Sequence, residues 1–337
     1  LQRGARLRHR EGDPGGRRGE VSAPPDPPAA PPTVVVPAYG RPESTRRALR
    51  SLVDAGATAI LLVDDAGRGH GDVLGAEFPG VEVLRTETSV YWTGAIRLGI
   101  EHALARGARS VLLFNQDVTV APGYFERLSA TSARFPGAVI GSAVVYAQRE
   151  GLVWAAGVRM EWFGRGFRVL HHGTGADDLP AEPFSVDWLF GMGTCVPAGV
   201  FGKIGLPDAD RFPMAWGDAD FTLRASGAGI PVLLDPRLRL AHEVGPYDAR
   251  VAPAPRFSEY VSWLGSRHHN ISLSAQREVW RRHGPRGLWP LSLALRFAFL
   301  LVNFVRIRLL YPDGGGAEAR GGASAAGAAQ ATALAPH

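Results

Sequence analysis

The sequence predicts an α/β fold in which helices flank a mostly parallel central sheet and a helical extension follows at the C-terminus. Apolar runs of strand length alternate with segments of helical spacing through the first half of the chain. This alternation is typical of parallel sheets with right-handed crossovers. One run, residues 111–114, stops at the polar residues Asn115, Gln116 and Asp117, as a buried strand does at the edge of a sheet. Because open α/β sheets bind ligands at their carboxyl edge, the fold class also predicts where the functional site lies.

The elements of the first half follow from local patterns. Residues 33–37 are a β-branched run closed by proline, and residues 43–55 have helical spacing with Gly56 after the last turn. The same criteria predict strands at 59–63, at 81–84 and from 111 onward, and helices at 73–78, from the 89–100 stretch to about 106, and at 124–134.

The second half has a different character. Residues 139–146 and 153–170 are rich in aromatic residues and glycine and indicate β-hairpins, whereas 186–197 is a strand or loop whose small residues allow a close approach. The remaining elements are predicted as a helix at 200–204, a helix from Trp216 to Gly227 or Gly229, strands at 230–234 and ending at His242, and helices at 257–282 and 288–310.

Composition sets limits on the class of protein. The 337 residues are enough for one large domain or two ordinary ones. The single cysteine, Cys195, excludes an internal disulfide and fits a reducing compartment. The formal net charge of +5 fits an anionic substrate or a membrane surface, and we expect no nucleic-acid partner. The first residues show no secretory signal pattern, so we expect a cytoplasmic location.

Domain boundaries follow from the same composition. Residues 1–32 and 313–337 are predicted to be disordered because Pro, Gly and Ala dominate there. Residues 33–245 are predicted to form the functional domain, and residues 246–312 the helical extension.

Three predicted strands end in polar residues, namely at Asp64 and Asp65, at Asn115 to Asp117, and at His242. These ends share one edge if the sheet is parallel, so the side chains would meet there. A carboxylate two residues from a second oxygen donor suits a hard divalent cation that holds a diphosphate. The alternative is an ordinary strand-to-helix turn, in which Asn and Asp are common.

Six segments between Thr33 and His242 together resemble the inverting family 2 glycosyltransferases, which have the GT-A fold. The segments are 36–41 (VPAYGR), 62–65 (LVDD), 89–100 (SVYWTGAIRLGI), 115–117 (NQD), 216–224 (WGDADFTLR) and His242. Each motif alone is weak, but their order and spacing are specific. The Tyr-Trp-Thr-Gly sequence from Tyr91 is similar to rhamnosyl- or galactofuranosyltransferases of bacterial surface glycan assembly.

The resemblance implies a nucleotide-diphosphate sugar donor, with Asp64 hydrogen-bonded to the base and Mg²⁺ or Mn²⁺ held by Asp117 and His242. Arg97 either contacts the nucleotide or is a surface helix residue. The full set of implied donor-binding residues is Pro37, Ala38, Tyr39, Arg41, Asp64, Thr93, Gly94, Arg97, Asn115, Gln116 and Asp117.

Asp218 is the implied catalytic base, which takes a proton from the acceptor hydroxyl. Its place at the start of a helix favours the ionised form, although an N-cap role is the alternative. The pocket for the acceptor and sugar is assigned to Trp92, Trp188, Gly191 and Asp220, since aromatic faces suit sugar C–H surfaces. Asp220 is a second candidate base or a brace for the loop, and both tryptophans have a core position as their alternative.

The chain also departs from the family pattern. Asn115 replaces a carboxylate of the metal motif, which predicts weaker metal binding, and Gly217 stands where the family usually has glutamate. These departures motivate an alternative function, a non-catalytic nucleotide-sugar-binding or scaffold protein with a degenerate metal site. A nucleotidyltransferase would need a basic glycine-rich loop after the first strand, and residues 37–41 do not supply one.

Residues 288–310 are strongly apolar but contain charged residues, so we expect no clean bilayer span. Ser292, Arg296, Asn303 and Arg306 fall on one narrow stripe of a helix. Such a stripe predicts an interfacial membrane anchor. The alternative is a helix packed on the catalytic domain or in a dimer interface. The implied acceptor is a glycan or lipid-linked acceptor at the inner face of the cell membrane.

Overall fold

The structure is a computed structural model that describes residues 31–149, 151–243 and 256–310. The predicted disordered segments 1–32 and 313–337 lie outside the described residues, apart from Pro31 and Pro32. The first ten residues of the predicted extension, 246–255, lie outside them as well.

The described residues form twelve strands and nine helices. The strands are β1 Thr33–Ala38, β2 Ile60–Asp64, β3 Val81–Arg85, β4 Ser110–Leu113, β5 Val118–Val120, β6 Val139–Tyr146, β7 Val153–Ala155, β8 Val158–Glu161, β9 Gly166–Val169, β10 Phe184–Ser185, β11 Thr194–Pro197 and β12 Val232–His242. The helices are α1 Pro42–Asp54, α2 Gly71–Glu77, α3 Tyr91–Ala105, α4 Tyr124–Arg134, α5 Ala198–Ile204, α6 Gly217–Gly227, α7 Phe257–Gly265, α8 Leu273–His283 and α9 Trp289–Leu310.

One large sheet organises the domain, with the order β10-β12-β6-β11-β4-β1-β2-β3. Strands β1 to β4 are parallel to one another, as the first half of the sequence predicts. In the second half β11 runs antiparallel between β4 and β6, whereas β12 is parallel to β6 and also pairs with the short antiparallel strand β5. The predicted α/β class is confirmed, and the second half makes the sheet mixed.

Strand β1 lies in the middle of the parallel half, and its side chains are completely buried at Val34, Val35 and Val36. Helix α3 packs directly on this strand at Gly99, where an added Cβ atom would lie 2.2 Å from Cγ1 of Val35. The glycine of the 89–100 motif is therefore a packing requirement, because only a residue without a side chain lets the helix come so close. This contact fixes the N-terminus of α3 above the carboxyl edge of the sheet.

Three predicted boundaries need correction. The strands predicted at 230–234 and before His242 are one strand, β12, with an irregular register between Asp235 and Arg239. The helix predicted over 257–282 is two helices, because residues 266–272 form a loop and Ser272 caps α8 by accepting a hydrogen bond from the backbone N–H of Ala275. The strand beginning near 111 ends at Leu113, before the polar triplet.

Candidate active site

The carboxyl edge of the sheet carries a group of strained residues. Arg41 (φ 45°), Tyr91 (φ 59°) and Trp216 (φ 72°) adopt the left-handed backbone conformation. Arg41 and Trp216 stand immediately before helices α1 and α6, and Tyr91 is the first residue of α3. Left-handed residues other than glycine are disfavoured and cluster at functional sites. The backbone conformation at these helix starts therefore locates the cleft at this edge of the sheet.

Asp117 and His242 meet at this edge. Strand β12 pairs with β5 so that His242 lies opposite Val118, and this register puts Nε2 of His242 3.7 Å from Oδ2 of Asp117. Both side chains are buried, and the edge of the Trp154 ring system packs on the His242 ring at 5.2 Å between centroids. Within the described part of the chain neither ring nitrogen of His242 has a hydrogen-bond partner. We call this place the His242 end of the cleft.

The His242 end fits a divalent cation with two protein ligands. A buried imidazole normally satisfies its ring nitrogens, so a ring without partners next to a carboxylate is a typical metal-binding arrangement. Within residues 31–149, 151–243 and 256–310, no group of three or more His, Cys, Asp or Glu side chains is close enough to hold a metal. The other ligands would have to be oxygens of the substrate and water, which Mg²⁺ and Mn²⁺ accept.

Positive charge is already present at this end. The guanidinium of Arg41 reaches Oδ2 of Asp117 at 3.4 Å between Nη1 and the carboxylate oxygen, and it is about one-third exposed. Arginine is well suited to bind phosphate oxygens because its N–H groups form a planar fork. The predicted donor-binding residues Arg41 and Asp117 are thus brought together.

Gln116 shapes the loop beside them. Its Oε1 atom accepts hydrogen bonds from the backbone N–H of Tyr39 (3.0 Å) and the hydroxyl of Thr45 (3.1 Å), and its Nε2 donates to the carbonyl of Tyr39 (3.0 Å). The Tyr39 ring is left about half exposed at the edge of the sheet. Pro37 and Ala38 lie within β1 and are buried, so of these loop residues only Tyr39 offers a ring to a ligand.

The predicted contact between Asp64 and a nucleotide base needs correction. The Asp64 side chain has no exposed surface, and its carboxylate accepts hydrogen bonds from the backbone N–H groups of Gly69 and Gly71. An added Cβ at either glycine would lie within 3 Å of an Asp64 oxygen. Asp64 therefore holds the loop after β2 in place. Asp65 has a similar task, because it accepts from the backbone N–H of Val90 at 2.8 Å in front of α3.

Two predicted donor contacts on α3, at Thr93 and Gly94, also differ from expectation, whereas for Arg97 a surface role was left open. Thr93 is completely buried and Gly94 is buried against Val90, whose Cβ would lie 2.8 Å from an added Cβ atom. Arg97 pairs with Glu101 one turn along the helix at 3.1 Å between Nε and the carboxylate, which matches the surface role that the sequence left open. Thr93 and Gly94 therefore pack the start of α3, and Arg97 lies on its surface.

Trp92 connects the two ends of the cleft. Its Nε1 donates to Oδ1 of Asn115 at 2.7 Å, two residues before Asp117. The far edge of its ring covers Gly191, where an added Cβ would lie 2.0 Å from the ring. The backbone N–H of Gly191 in turn donates to Oδ2 of Asp218 at 2.9 Å. Trp92, Gly191 and Asp218 form what we call the Asp218 end of the cleft.

The surroundings of Asp218 are those of a general base. The side chain is half-buried at the start of α6, and burial raises the pKa of Asp218 to about 6. The backbone N–H groups of Gly191 and Ala219 oppose part of this shift, because they donate to the ionised carboxylate. A carboxylate with a pKa this close to neutrality can both take and release a proton under physiological conditions.

Asp220 does not line the pocket, contrary to its predicted assignment. It is completely buried and lies 2.9 Å from Arg224, 3.0 Å from Arg282 and 2.9 Å from His283. Burial alone would raise the pKa of Asp220, but the hydrogen bond from His283 and the charge of Arg224 lower it to about 2. Asp220 therefore acts as the brace considered from the sequence, and it ties α6 to α8.

Trp188 also lies outside the pocket. Only 1% of its surface is exposed, and its ring stacks on Trp216 and packs against Phe167 and Phe190 at centroid distances between 5.1 and 5.5 Å. The predicted contact with a sugar is therefore wrong for Trp188, because its faces are occupied by other rings. Trp92, the other tryptophan, is half-buried beside Gly191.

The loop between α7 and α8 contributes to the site, and sequence reasoning missed this contribution. The ring of His268 stacks on the exposed ring of Tyr91 at 4.1 Å between centroids, and the carbonyl of Asn270 accepts from Nε1 of Trp216 at 2.7 Å. Tyr91 begins the helix that carries Trp92, and Trp216 directly precedes the helix that carries Asp218. The extension thereby closes the Asp218 end of the cleft. The run Arg267-His268-His269-Asn270 was the one sequence signal for this contribution.

Comparisons with known proteins agree with this geometry. Residues 33–185 match the family model described as glycosyl transferase family 2. A curated relative is the dTDP-rhamnosyl transferase RfbF of Shigella flexneri, which is 22% identical over 157 residues, or 47% of this chain and 50% of the relative. The chain thus spans about half the length of this relative.

A solved structure, that of GalNAc-T7 with UDP, GalNAc and Mn²⁺, has a similar fold. The match has a TM-score of 0.53 and 13% identity, and it covers 84% of this chain and 59% of the other. At this identity the likeness concerns the fold alone. The predicted arrangement of the sheet and its flanking helices is confirmed by it.

Proposed function

We propose that the chain, whose residues 33–185 match the model of glycosyl transferase family 2, is a glycosyltransferase that transfers the sugar with inversion at the anomeric carbon. The donor in this proposal is a nucleotide-diphosphate sugar. Its acceptor is a hydroxyl of a glycan or lipid-linked glycan in the assembly of bacterial surface polysaccharide.

The observation that carries the proposal is the arrangement of the two ends of the cleft. The His242 end combines a carboxylate, an imidazole without hydrogen-bond partners in the described residues and an arginine, which suits a diphosphate. The Asp218 end offers a carboxylate whose pKa is raised to about 6. Trp92 joins the two through Asn115 and Gly191, so a donor and an acceptor can lie side by side.

In the proposed reaction Asp218 accepts the proton of the acceptor hydroxyl while the hydroxyl oxygen attacks the anomeric carbon. The bond between that carbon and the diphosphate oxygen breaks, and its electron pair leaves with the diphosphate. Arg41 would bind the phosphate oxygens and stabilise their developing charge. Asp117 and His242 would hold Mg²⁺ or Mn²⁺, which when bound supplies Lewis-acid stabilisation of the leaving group.

The name of the curated relative favours dTDP-rhamnose as the donor to test first. For the acceptor, the strongly apolar helix α9 supports a substrate at a membrane. We therefore place the reaction at the cytoplasmic face of the cell membrane, where residues 288–310 would contact the lipid.

The proposal is tested by measuring donor hydrolysis and transfer with a panel of nucleotide sugars, with Mn²⁺ and after removal of metal by EDTA. A thermal-shift screen identifies the donor first, since a ligand that binds the folded state raises its apparent stability. We expect turnover with at least one donor and loss of turnover in Asp218→Asn. Donor binding without any turnover in the wild type would overturn the proposal and favour the scaffold alternative.

The metal assignment has its own test. His242→Ala removes one of the two proposed ligands, and we expect Mn²⁺ to lose its effect on the thermal shift produced by UDP or dTDP. His102→Ala is the matched control, because this histidine is half-buried on α3 and pairs with Glu82 at 2.8 Å between Nε2 and the carboxylate oxygen. An unchanged effect of Mn²⁺ in His242→Ala would exclude His242 as a ligand.

A further inference from the structure

Helix α9 is turned so that its polar side chains face the protein and its apolar side chains face outward. Ser292 and Arg296 are 0% and 2% exposed, and Asn303 is also buried. A helix on the surface of a soluble domain normally has the opposite arrangement. What we call the outward face consists of side chains between 41% and 76% exposed, namely Leu288, Leu291, Leu295, Leu301, Val302, Val305 and Leu309.

Buried hydrogen bonds fix this orientation. The hydroxyl of Ser292 accepts from Nε1 of Trp280 at 2.9 Å and donates to the carbonyl of Trp162. The guanidinium of Arg296 donates to Oε1 of Gln276 at 3.1 Å and to a carbonyl of the β8–β9 hairpin. Rotating the helix to hide the outward face would leave these groups unpaired, which is unfavourable for buried polar atoms. Ser292, Arg296 and Asn303 of the predicted polar stripe therefore face the protein, whereas Arg306 is exposed.

Elements that contact α9 expose two further aromatic rings. Trp162, whose carbonyl binds Ser292, is followed at the tip of the β8–β9 hairpin by Phe163, which is 53% exposed. On α7, Phe257 is exposed and its ring packs against Phe304 of α9 at 6.1 Å between centroids. Contiguous apolar surface shared by several elements is typical of a protein-interaction or membrane-binding site.

Charge decides between these two occupants. Helix α9 contains no acidic residue, and Arg306 and Arg308 are both exposed near its end. In a two-fold contact the same face meets itself, so these arginines would approach their own copies without a carboxylate from α9. A surface of anionic lipid offers apolar chains to the leucines and negative charge to the arginines.

Length and composition alone would allow α9 to cross a bilayer, since residues 289–309 have a mean hydropathy of 1.6 and only 22% of the most apolar window is buried. The expectation that no such span exists is therefore wrong by this measure. The hydrogen bonds of Ser292 and Arg296 nevertheless hold the helix along the protein surface. We propose that the outward face of α9 lies in the surface of a membrane that contains anionic lipid, and that this contact brings the cleft to a lipid-linked acceptor.

The test is co-sedimentation of the full chain with vesicles of phosphatidylcholine alone and of phosphatidylcholine mixed with phosphatidylglycerol. We expect stronger binding to the mixed vesicles. Val302→Glu should weaken binding about tenfold or more, because a charge replaces an exposed valine that the proposal places in the lipid. Arg306→Gln should weaken binding to the mixed vesicles alone, about fivefold. Val73→Glu on α2 is the matched control, since Val73 is a similarly exposed helical valine away from α9.

Equal binding by wild type and Val302→Glu, or no binding to either vesicle, would overturn the inference. A dimer in sedimentation velocity that Val302→Glu dissociates, without vesicle binding, would assign the outward face to a second copy of the chain. The link to a lipid-linked acceptor rests on the proposed function, whereas vesicle binding is measured without donor or acceptor. A chain that binds vesicles but transfers no sugar would thus contradict only the proposed function.

Discussion

The two sides of helix α6 carry the same residue type in opposite surroundings. On the side of the cleft, burial raises the pKa of Asp218 to about 6, and the backbone N–H groups of Gly191 and Ala219 donate hydrogen bonds to its carboxylate. On the side of α8, Asp220 contacts two guanidinium groups and an imidazole, and its pKa is lowered to about 2. Asp218, which can exchange protons, and Asp220, which stays charged, are thus only two residues apart on one helix.

This difference predicts that removing the two charges affects different properties. Asp218→Asn should lower the rate of transfer by a factor of about 10² to 10⁴, the usual contribution of a general base. Its stability should change little, because asparagine is isosteric and the lost charge was destabilised by burial. Steady-state kinetics and a denaturant titration on the same preparation would measure both. A rate within a factor of two of wild type would show that the base lies elsewhere.

Asp220→Asn should instead reduce the free energy of unfolding by about 3–5 kcal/mol, since Arg224, Arg282 and His283 would lose the buried carboxylate that neutralises them. Chemical denaturation gives this value directly. Arg97→Gln is the control for a surface ion pair and should cost less than about 1 kcal/mol. If Asp220→Asn and Arg97→Gln had equal effects, the brace between α6 and α8 would be unimportant.

The pH dependence should have opposite signs on the two sides. The raised pKa of Asp218 means that transfer increases as pH rises through about 6, where the base becomes ionised. The folded state then holds this proton more tightly than the unfolded state, so Asp218 lowers stability as pH rises from about 4 to 6.

The lowered pKa of Asp220 has the reverse effect. Its contribution to stability is complete above the unfolded pKa of about 4 and is lost as pH falls toward about 2. Rate profiles and unfolding curves across this range, compared with those of Asp218→Asn and Asp220→Asn, would assign each effect. A rate profile without an inflection near 6 would contradict the role given to Asp218.

The smallest expected effect concerns Gly217, which separates Asp218 from the strained Trp216. A Cβ atom at Gly217 would lie 2.4 Å from Oγ1 and 2.7 Å from Cγ2 of Thr93. Gly217→Ala should therefore destabilise the fold by about 1–3 kcal/mol through overpacking. Adding Thr93→Ala, which removes both atoms, should recover part of the loss in a double-mutant cycle. Additive losses would mean that Thr93 is not what excludes a side chain there.

Patterns along the chain predicted the parallel half of the sheet, which is confirmed, and a family resemblance that agrees with the match of residues 33–185 to the family 2 model. Alternation of apolar runs and helices is a local property, and β1 to β4 follow it. The meeting of Asp117 with His242 was also predicted, because strand ends at one edge must be neighbours. The roles of the other carboxylates depend on contacts distant in sequence. Nothing near Asp220 indicates that Arg282 and His283 will surround it.

The same limit explains the tryptophans and α9. Trp92 and Trp188 are equivalent by composition, but Trp188 is enclosed by rings from other segments, including Phe167 and Trp216. For α9, the spacing of the polar residues predicted that they share one stripe of the helix. It could not predict whether that stripe faces the protein or the outside. The acceptor groups supplied by α8 and the β8–β9 hairpin determine that Ser292 and Arg296 face the protein.

The position of Trp92 has a consequence for how donor binding and acceptor binding affect each other. One indole bridges both substrate positions, bonded to Asn115 at one and lying on Gly191 at the other. A molecule that shifts the ring at the first position necessarily changes the shape of the second. Thermodynamic reciprocity then requires that each substrate alter the affinity of the enzyme for the other by the same factor. We therefore expect an occupied donor position to tune how tightly the acceptor is held.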